Sequence, residues 1–210
     1  GRTPAEHGVL GYEVWLREYS MIANLILHSP AAFYGDVGGL KRGGFDPETF
    51  LPVPVLAPHL AQYGIKTFSS QHSAIARSGL STMLQGGAEL LPYRTMNDAW
   101  VTLQAVLESN RNARTYSWVY WGDLDELSHR YGPDDERVQL EYATFSLVLE
   151  RFLSSLRKQG RGDTLFLMTA DHGHLSTPRL PAYDLNNHPE MNACLVMVPS
   201  GEARLPYLYI

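Results

Sequence analysis

Twice in this chain an apolar run that reads as a buried strand ends in a carboxylate and an imidazole. Residues 115–121 (TYSWVYW) lead into 125–133 (DELSHRYGP), and residues 164–170 (TLFLMTA) lead into Asp171-His172-Gly173. Between them, residues 134–159 carry one apolar stripe: Val138, Tyr142, Phe145, Leu149, Phe152 and Leu156 alternate four and three apart, the spacing of a helix with one buried face. Asp134, Asp135 and Glu136 sit where a helix N-terminus favours negative charge, Arg157 and Lys158 where its C-terminus favours positive charge, and Gly160 follows as a stop. Strand, long helix, strand is the arrangement of parallel strands with covering helices. In an open sheet of that kind ligands bind beyond the carboxyl ends of the strands, where both carboxylate–imidazole pairs fall.

Other segments repeat the pattern. A short helix in residues 54–64 (PVLAPHLAQYG) leads to a strand at 65–69, and a helix with Asn97 as N-cap and apolar Trp100, Leu103 and Leu107 precedes the strand at 115–121. Helix then strand thus recurs three times. The expected fold is α/β, a mostly parallel sheet with helices on both faces, in a single domain over 1–210. Residues 12–27 are apolar and fit either strand or helix. Gly- and Pro-rich residues 31–54 and 71–94 read as irregular rim segments that set substrate preference.

The bulk properties narrow the class. With 44% hydrophobic and 19% charged residues the chain has the composition of a soluble globular protein. A net charge of −5 without a basic run argues against sequence-independent nucleic-acid binding, so no duplex partner is expected. No apolar run approaches the ~20 residues of a membrane span. Cys194 is the one cysteine, so no intramolecular disulfide forms; its apolar context (CLVMV) reads as a buried small hydrophobe. A single cysteine and no leader in these residues favour the cytoplasm.

Asp125 and His129 lie four apart, so one helical turn puts both on one face. Spacing alone says little, since Asp184 and His188 share it. The strand before Asp125 and the Tyr131-Gly132-Pro133 tail after His129 distinguish the first pair. His188, in a loop with Pro189, is not expected to be a ligand. Asp171 and His172 reach one ion only where the chain bends, which Gly173 permits. His174 is a further candidate ligand, although a solvent-facing or supporting role is the favoured reading, and Asp123 reads as solvent-facing. Carboxylate and imidazole donors suit zinc or manganese, at about 2.0–2.2 Å from zinc. Two such pairs point to two divalent ions and to hydrolysis of phosphate esters.

The motifs resemble the type I phosphodiesterase/nucleotide pyrophosphatase branch of the alkaline phosphatase superfamily. That branch shows Asp-x-x-x-His-x-x-Gly-Pro, a long helix, then a strand ending in Asp-His-Gly, and residues 125–173 follow this order. Residues 1–8 (GRTPAEHG) resemble the family's Gly-x-x-Pro-x-x-His-Gly, which comes shortly after the nucleophile. The resemblance implies an alkaline-phosphatase-like fold, with Asp125 and His129 on one ion and Asp171 and His172 on the other. It implies two zinc ions (or manganese) roughly 4 Å apart, acting on phosphodiester or pyrophosphate bonds of a small phosphorylated substrate. It also places the Thr or Ser nucleophile upstream of residue 1 and a further histidine downstream. On that reading the chain is an internal piece of the catalytic domain, incomplete at both ends and inactive alone. Thr3, Ser20, Thr67 and Ser128 are hydroxyls outside the family's nucleophile context. The alternatives are a phosphomonoesterase, sulfatase or phosphotransferase of the superfamily, or a binding module that kept the fold without the chemistry.

Overall fold

The computed structural model describes residues 3, 6, 9–32, 35–51, 54–160, 162–178, 180–202 and 205–210. The strands are β1 (Glu13–Leu16), β2 (Met21–Asn24), β3 (Ser29–Pro30), β4 (Lys66–Ser70), β5 (Glu89–Leu90), β6 (Thr115–Val119), β7 (Ser200–Glu202) and β8 (Leu205–Tyr207). The α-helices are α1 (Gly39–Arg42), α2 (Pro47–Phe50), α3 (Leu56–Ala61), α4 (Gly79–Leu84), α5 (Met96–Ser109), α6 (Asp123–Tyr131), α7 (Glu136–Lys158) and α8 (Pro189–Ala193). The chain forms two compact units, one of Gly1–Tyr63, Arg77–Ala88 and Arg179–Ile210, the other of Gly64–Ala76 and Glu89–Pro178.

The second unit carries the parallel architecture. β4 pairs in parallel with β5 on one side and β6 on the other, with Lys66 opposite Thr115 and Ser70 opposite Val119. Helix α5 makes the crossover from β5 to β6, which lie on either side of β4, as a parallel connection requires. Its N-cap is Thr95, whose hydroxyl accepts the Asp98 N–H, so Asn97 lies inside the helix and not at its cap. Helix α7 matches the expected 134–159 closely: Val138, Phe145, Phe152 and Leu156 of its stripe are buried and Leu149 packs against the core, while Tyr142 is exposed. Asp135 caps it, accepting the Arg137 N–H at 2.9 Å. Trp100 of α5 stacks on Phe152 at 4.8 Å, and Trp121 stacks on Phe145 at 3.8 Å with the rings 6° from parallel. These rings and Tyr93, Met96, Ala99 and Leu103 make one core.

The other unit holds the larger sheet, five strands in the order β3-β2-β1-β7-β8, with every pairing antiparallel. The expectation of a mostly parallel sheet holds only in part: among the described residues parallel order is found in three strands, and the larger sheet is antiparallel. The ambiguous residues 12–27 are the β1–β2 hairpin, turned by a 3₁₀ segment at Arg17–Tyr19 and a left-handed Ser20 (φ 49°). The rim stretches 31–54 and 71–94 are punctuated by α1, α2, α4 and β5. Cys194 is exposed at the end of α8, not buried, because the apolar residues after it (Val196, Val198) are themselves exposed.

Residues 164–170 depart most from expectation. Phe166 packs on the core, but Leu165 and Leu167 are 82% and 79% exposed, and the run joins neither sheet among the described residues. Side chains alternate as in a strand, yet a strand needs a neighbour for its ladder. No described segment supplies one.

His28 in the first unit is buried, adopts a left-handed φ of 50°, and has no hydrogen-bond partner for Nε2. Its ring packs edge-on against Phe45 at 5.3 Å, and a Cβ on Gly79 would overlap it. Burial, reinforced by the Lys41 charge, lowers its pKa below the usual value. The unfolded chain therefore takes up the proton first. The contribution of neutral His28 is complete above about pH 6.5 and is lost as pH falls from there through the depressed folded-state pKa. Urea unfolding at pH 7.5 and 5.5 checks this: the native chain is expected to lose more stability on acidification than His28→Phe does. Equal losses would exclude His28 as the source.

Candidate metal centre

Five side chains of the second unit converge where β6 ends. Trp121 and Gly122 lead from the strand into α6, which starts at Asp123 with Gly122 as an N-cap that offers no side chain. Asp125 and His129 fall four apart on this helix, as the spacing predicted, with His129 Nε2 at 3.5 Å from Asp125 Oδ1. Gly132 ends the helix at φ 94°, ψ 151°, a conformation available almost only to glycine. That turn lets α7 start four residues later. Arg137 lies over the Tyr131 ring at 4.2 Å, fixing the junction.

The chain returns from α7 through residues 164–170 and places His172 and His174 against the same carboxylate. His172 Nε2 is 3.7 Å and His174 Nε2 2.9 Å from Asp125 Oδ1. Three imidazole nitrogens thus surround one carboxylate oxygen. Asp171 is more exposed and reaches His172 Nε2 at 3.7 Å. The structure therefore brings Asp125, His129, Asp171 and His172 together, as expected. It also brings in His174, which the sequence reading weighed as a further ligand and ranked below a supporting role. Alternation was the available signal: residues two apart on an extended run face the same side, and His174 is two beyond His172. Gly173 is not what permits the bend, since its φ is not left-handed and a Cβ there would meet open space.

The donors suit a divalent ion. His172 Nδ1 lies 3.1 Å from the Gly173 carbonyl, which assigns the proton to Nδ1 and leaves the Nε2 lone pair for a ligand. The backbone N–H of His172 donates to Asp171 Oδ1 at 3.1 Å, holding that carboxylate beside the ring. Side-chain exposures of 40% for Asp125 and 52% for His129 leave the centre open to a substrate. Zinc and manganese both accept such oxygen and imidazole donors.

Tyr120 joins the site from the strand tip. Its N–H donates to the Ser70 carbonyl, its own carbonyl accepts the buried Tyr93 hydroxyl at 2.7 Å, and its ring stacks on Trp118. Burial raises its pKa, and the charges of Asp125 and Asp171 raise it further, so the phenol stays protonated through neutral pH. Tyr93 is raised by burial first, then by Asp123 and Tyr120. Glu141 is likewise raised by burial and by Asp123. Asp123 thus acts on neighbouring groups of its own unit, not only on solvent.

The remaining candidates lie elsewhere or are engaged. His188 Nε2 is 2.8 Å from the Ala182 carbonyl. Thr67 Oγ1 is buried without a partner, and Ser128 donates to the Leu124 carbonyl within α6. Thr3 bonds Glu6, and Ser20 turns the hairpin. Most of the GRTPAEHG segment falls outside the described residues.

No curated protein and no solved structure matches the chain. A family model does, over residues 1–209: type I phosphodiesterase / nucleotide pyrophosphatase. A match over essentially the whole length, with both motifs gathered at one strand tip, makes this chain a member of the type I phosphodiesterase / nucleotide pyrophosphatase family.

Proposed function

We propose that the chain serves a two-metal hydrolase of phosphodiester or pyrophosphate bonds in a small phosphorylated substrate, on an alkaline-phosphatase-like fold. Asp125 and His129 hold one divalent ion, Asp171 and His172 the other, zinc before manganese. One observation carries this reading: three imidazoles gather around Asp125, and one of them, His172, also meets the Asp171 carboxylate, in an open site. Bound ions supply Lewis acidity and neutralise charge that builds on phosphoryl oxygens. The chain's own part is to orient them. The Gly173 carbonyl fixes the His172 tautomer, and α6 carries Asp125 and His129 as a rigid pair. Burial and the charges of Asp125 and Asp171 keep the Tyr120 phenol protonated, so it adds no third negative charge to the centre. Among the described residues no helix is long and apolar enough to cross a membrane.

The test is hydrolysis of thymidine 5′-monophosphate p-nitrophenyl ester by the zinc- or manganese-loaded full-length protein that supplies the nucleophile, beside its His129→Ala and Asp171→Ala variants. Turnover that falls in each variant by about a hundredfold or more, with circular dichroism unchanged, is the expected result. Preferential hydrolysis of p-nitrophenyl sulfate or a monoester would move the chain to another branch of the superfamily. Diesterase turnover untouched by both substitutions would overturn the assignment.

A further inference from the structure

We propose that the amino edge of the parallel sheet docks on an anionic bilayer surface through Lys66, Arg111, Arg114, Arg157 and Lys158. The topology gathers these side chains from three places in the sequence. β4 opens at Lys66 and β6 just after Arg114, side by side, and the Lys66 N–H donates to the Arg114 carbonyl at 3.0 Å. Helices α5 and α7 both end here. Gln159, the C-cap of α7, donates to Glu108 of α5 at 2.7 Å, and Lys66 Nζ donates to Asn110 Oδ1, just past α5, at 3.1 Å. All five cations are exposed. Arg111, Arg114, Arg157 and Lys158 pair with no carboxylate among the described residues.

The blander role for such residues is to complement helix ends. Two helix C-termini present about one negative charge between them. Five cations stand against two carboxylates at this edge, Glu108 and Asp163, and Glu108 already accepts from Gln104 and Gln159. Complementing the helices therefore accounts for only part of the positive excess. Leu165 follows at the foot of the extended run and is 82% exposed; cations beside an exposed aliphatic residue suit a lipid interface. The chain as a whole carries −5, so a long polyanion that wraps past this edge meets repulsion. A bilayer meets only the edge turned toward it, within a Debye length of about 10 Å at 0.1 M salt. The parallel strands run away from the patch, and five residues of β6 put about 17 Å between it and the strand tip where the metal ligands converge. Docking thus leaves the centre facing water.

The test is co-sedimentation of the protein with phosphatidylcholine vesicles, with and without about 30% phosphatidylserine. Binding is expected only with phosphatidylserine at about 50 mM salt, and is lost at about 0.5 M. Each cation contributes about fivefold to partitioning, so the triple variant Arg111→Gln, Arg114→Gln, Lys158→Gln should bind on the order of a hundredfold more weakly. The triple Arg17→Gln, Lys41→Gln, Arg42→Gln, in the other unit, changes net charge equally and should retain binding. Hydrogen exchange of the native protein gives a check that needs no variant: vesicles should protect amides in 110–114 and 157–160. No binding, equal loss in both triples, or protection confined to other segments would each overturn the proposal. Tighter binding of polyuridylate than of the vesicles, lost in the first triple, would assign the edge to nucleic acid instead.

Discussion

Asp125→Ala is expected to abolish measurable binding at the centre: zinc affinity by titration calorimetry falls on the order of a hundredfold or more. The other members each touch the site from one side, whereas Asp125 Oδ1 is shared by His129, His172 and His174. Removing it deletes an anionic ligand and the point on which three rings converge. The helix should survive. Alanine is the best helix former, and the lost favourable contact of a carboxylate in the first turn is worth about 0.3–1 kcal/mol. A thermal readout separates the two effects. Zinc at a hundred times its dissociation constant stabilises the native chain by about 2.7 kcal/mol, and that increment should vanish in Asp125→Ala while the metal-free melting temperature barely moves. Retention of the zinc-induced increment would show that the ions bind elsewhere.

The second large effect is structural. Phe145→Ala is expected to cost about 3–5 kcal/mol in urea unfolding. Phe145 is buried on α7 and lies between two indoles, stacked on Trp121 at 3.8 Å and tilted toward Trp100 at 6.2 Å. Neither indole N–H has a hydrogen-bond partner, so apolar contact alone holds both rings in place. Removing the phenyl leaves a void with large, stiff walls that close poorly. Trp121 is four positions before Asp125, so the loss also loosens the approach to the site. A cost below about 1 kcal/mol would mean that the two tryptophans collapse onto each other.

Helix α7 was legible because its stripe is local: Val138, Phe145, Phe152 and Leu156 recur at the period of a helix, and the same residues are buried. The pairs Asp125/His129 and Asp171/His172 were legible for a related reason, since strand ends and motif order are short-range information. What failed needed long-range information. The run 164–170 has the alternation and composition of a strand, but pairing depends on a partner remote in sequence. Residues 12–27 suited two structures until β2 and β7 flanked β1. The expectation of one mostly parallel sheet extended the helix–strand rhythm of 54–170 to both ends of the chain, where hairpins take over. His174 was ranked as a supporting residue because its value depends on which side of an extended run faces Asp125, which the sequence does not state.

Chain entropy gives helix α7 a further meaning. Asp125 and His174 are 49 positions apart, a separation that makes ring closure costly for a flexible polymer. Yet 23 of the intervening residues form α7, a rod of about 35 Å at 1.5 Å per residue. Once that rod docks, only the short segments at its ends still have conformations to lose. Because closure entropy grows only with the logarithm of flexible length, most of the cost of bringing the two halves of the centre together is met by the helix and its aromatic core. Fraying of α7 would return that cost to the site, so ligand geometry and helix stability form one thermodynamic unit.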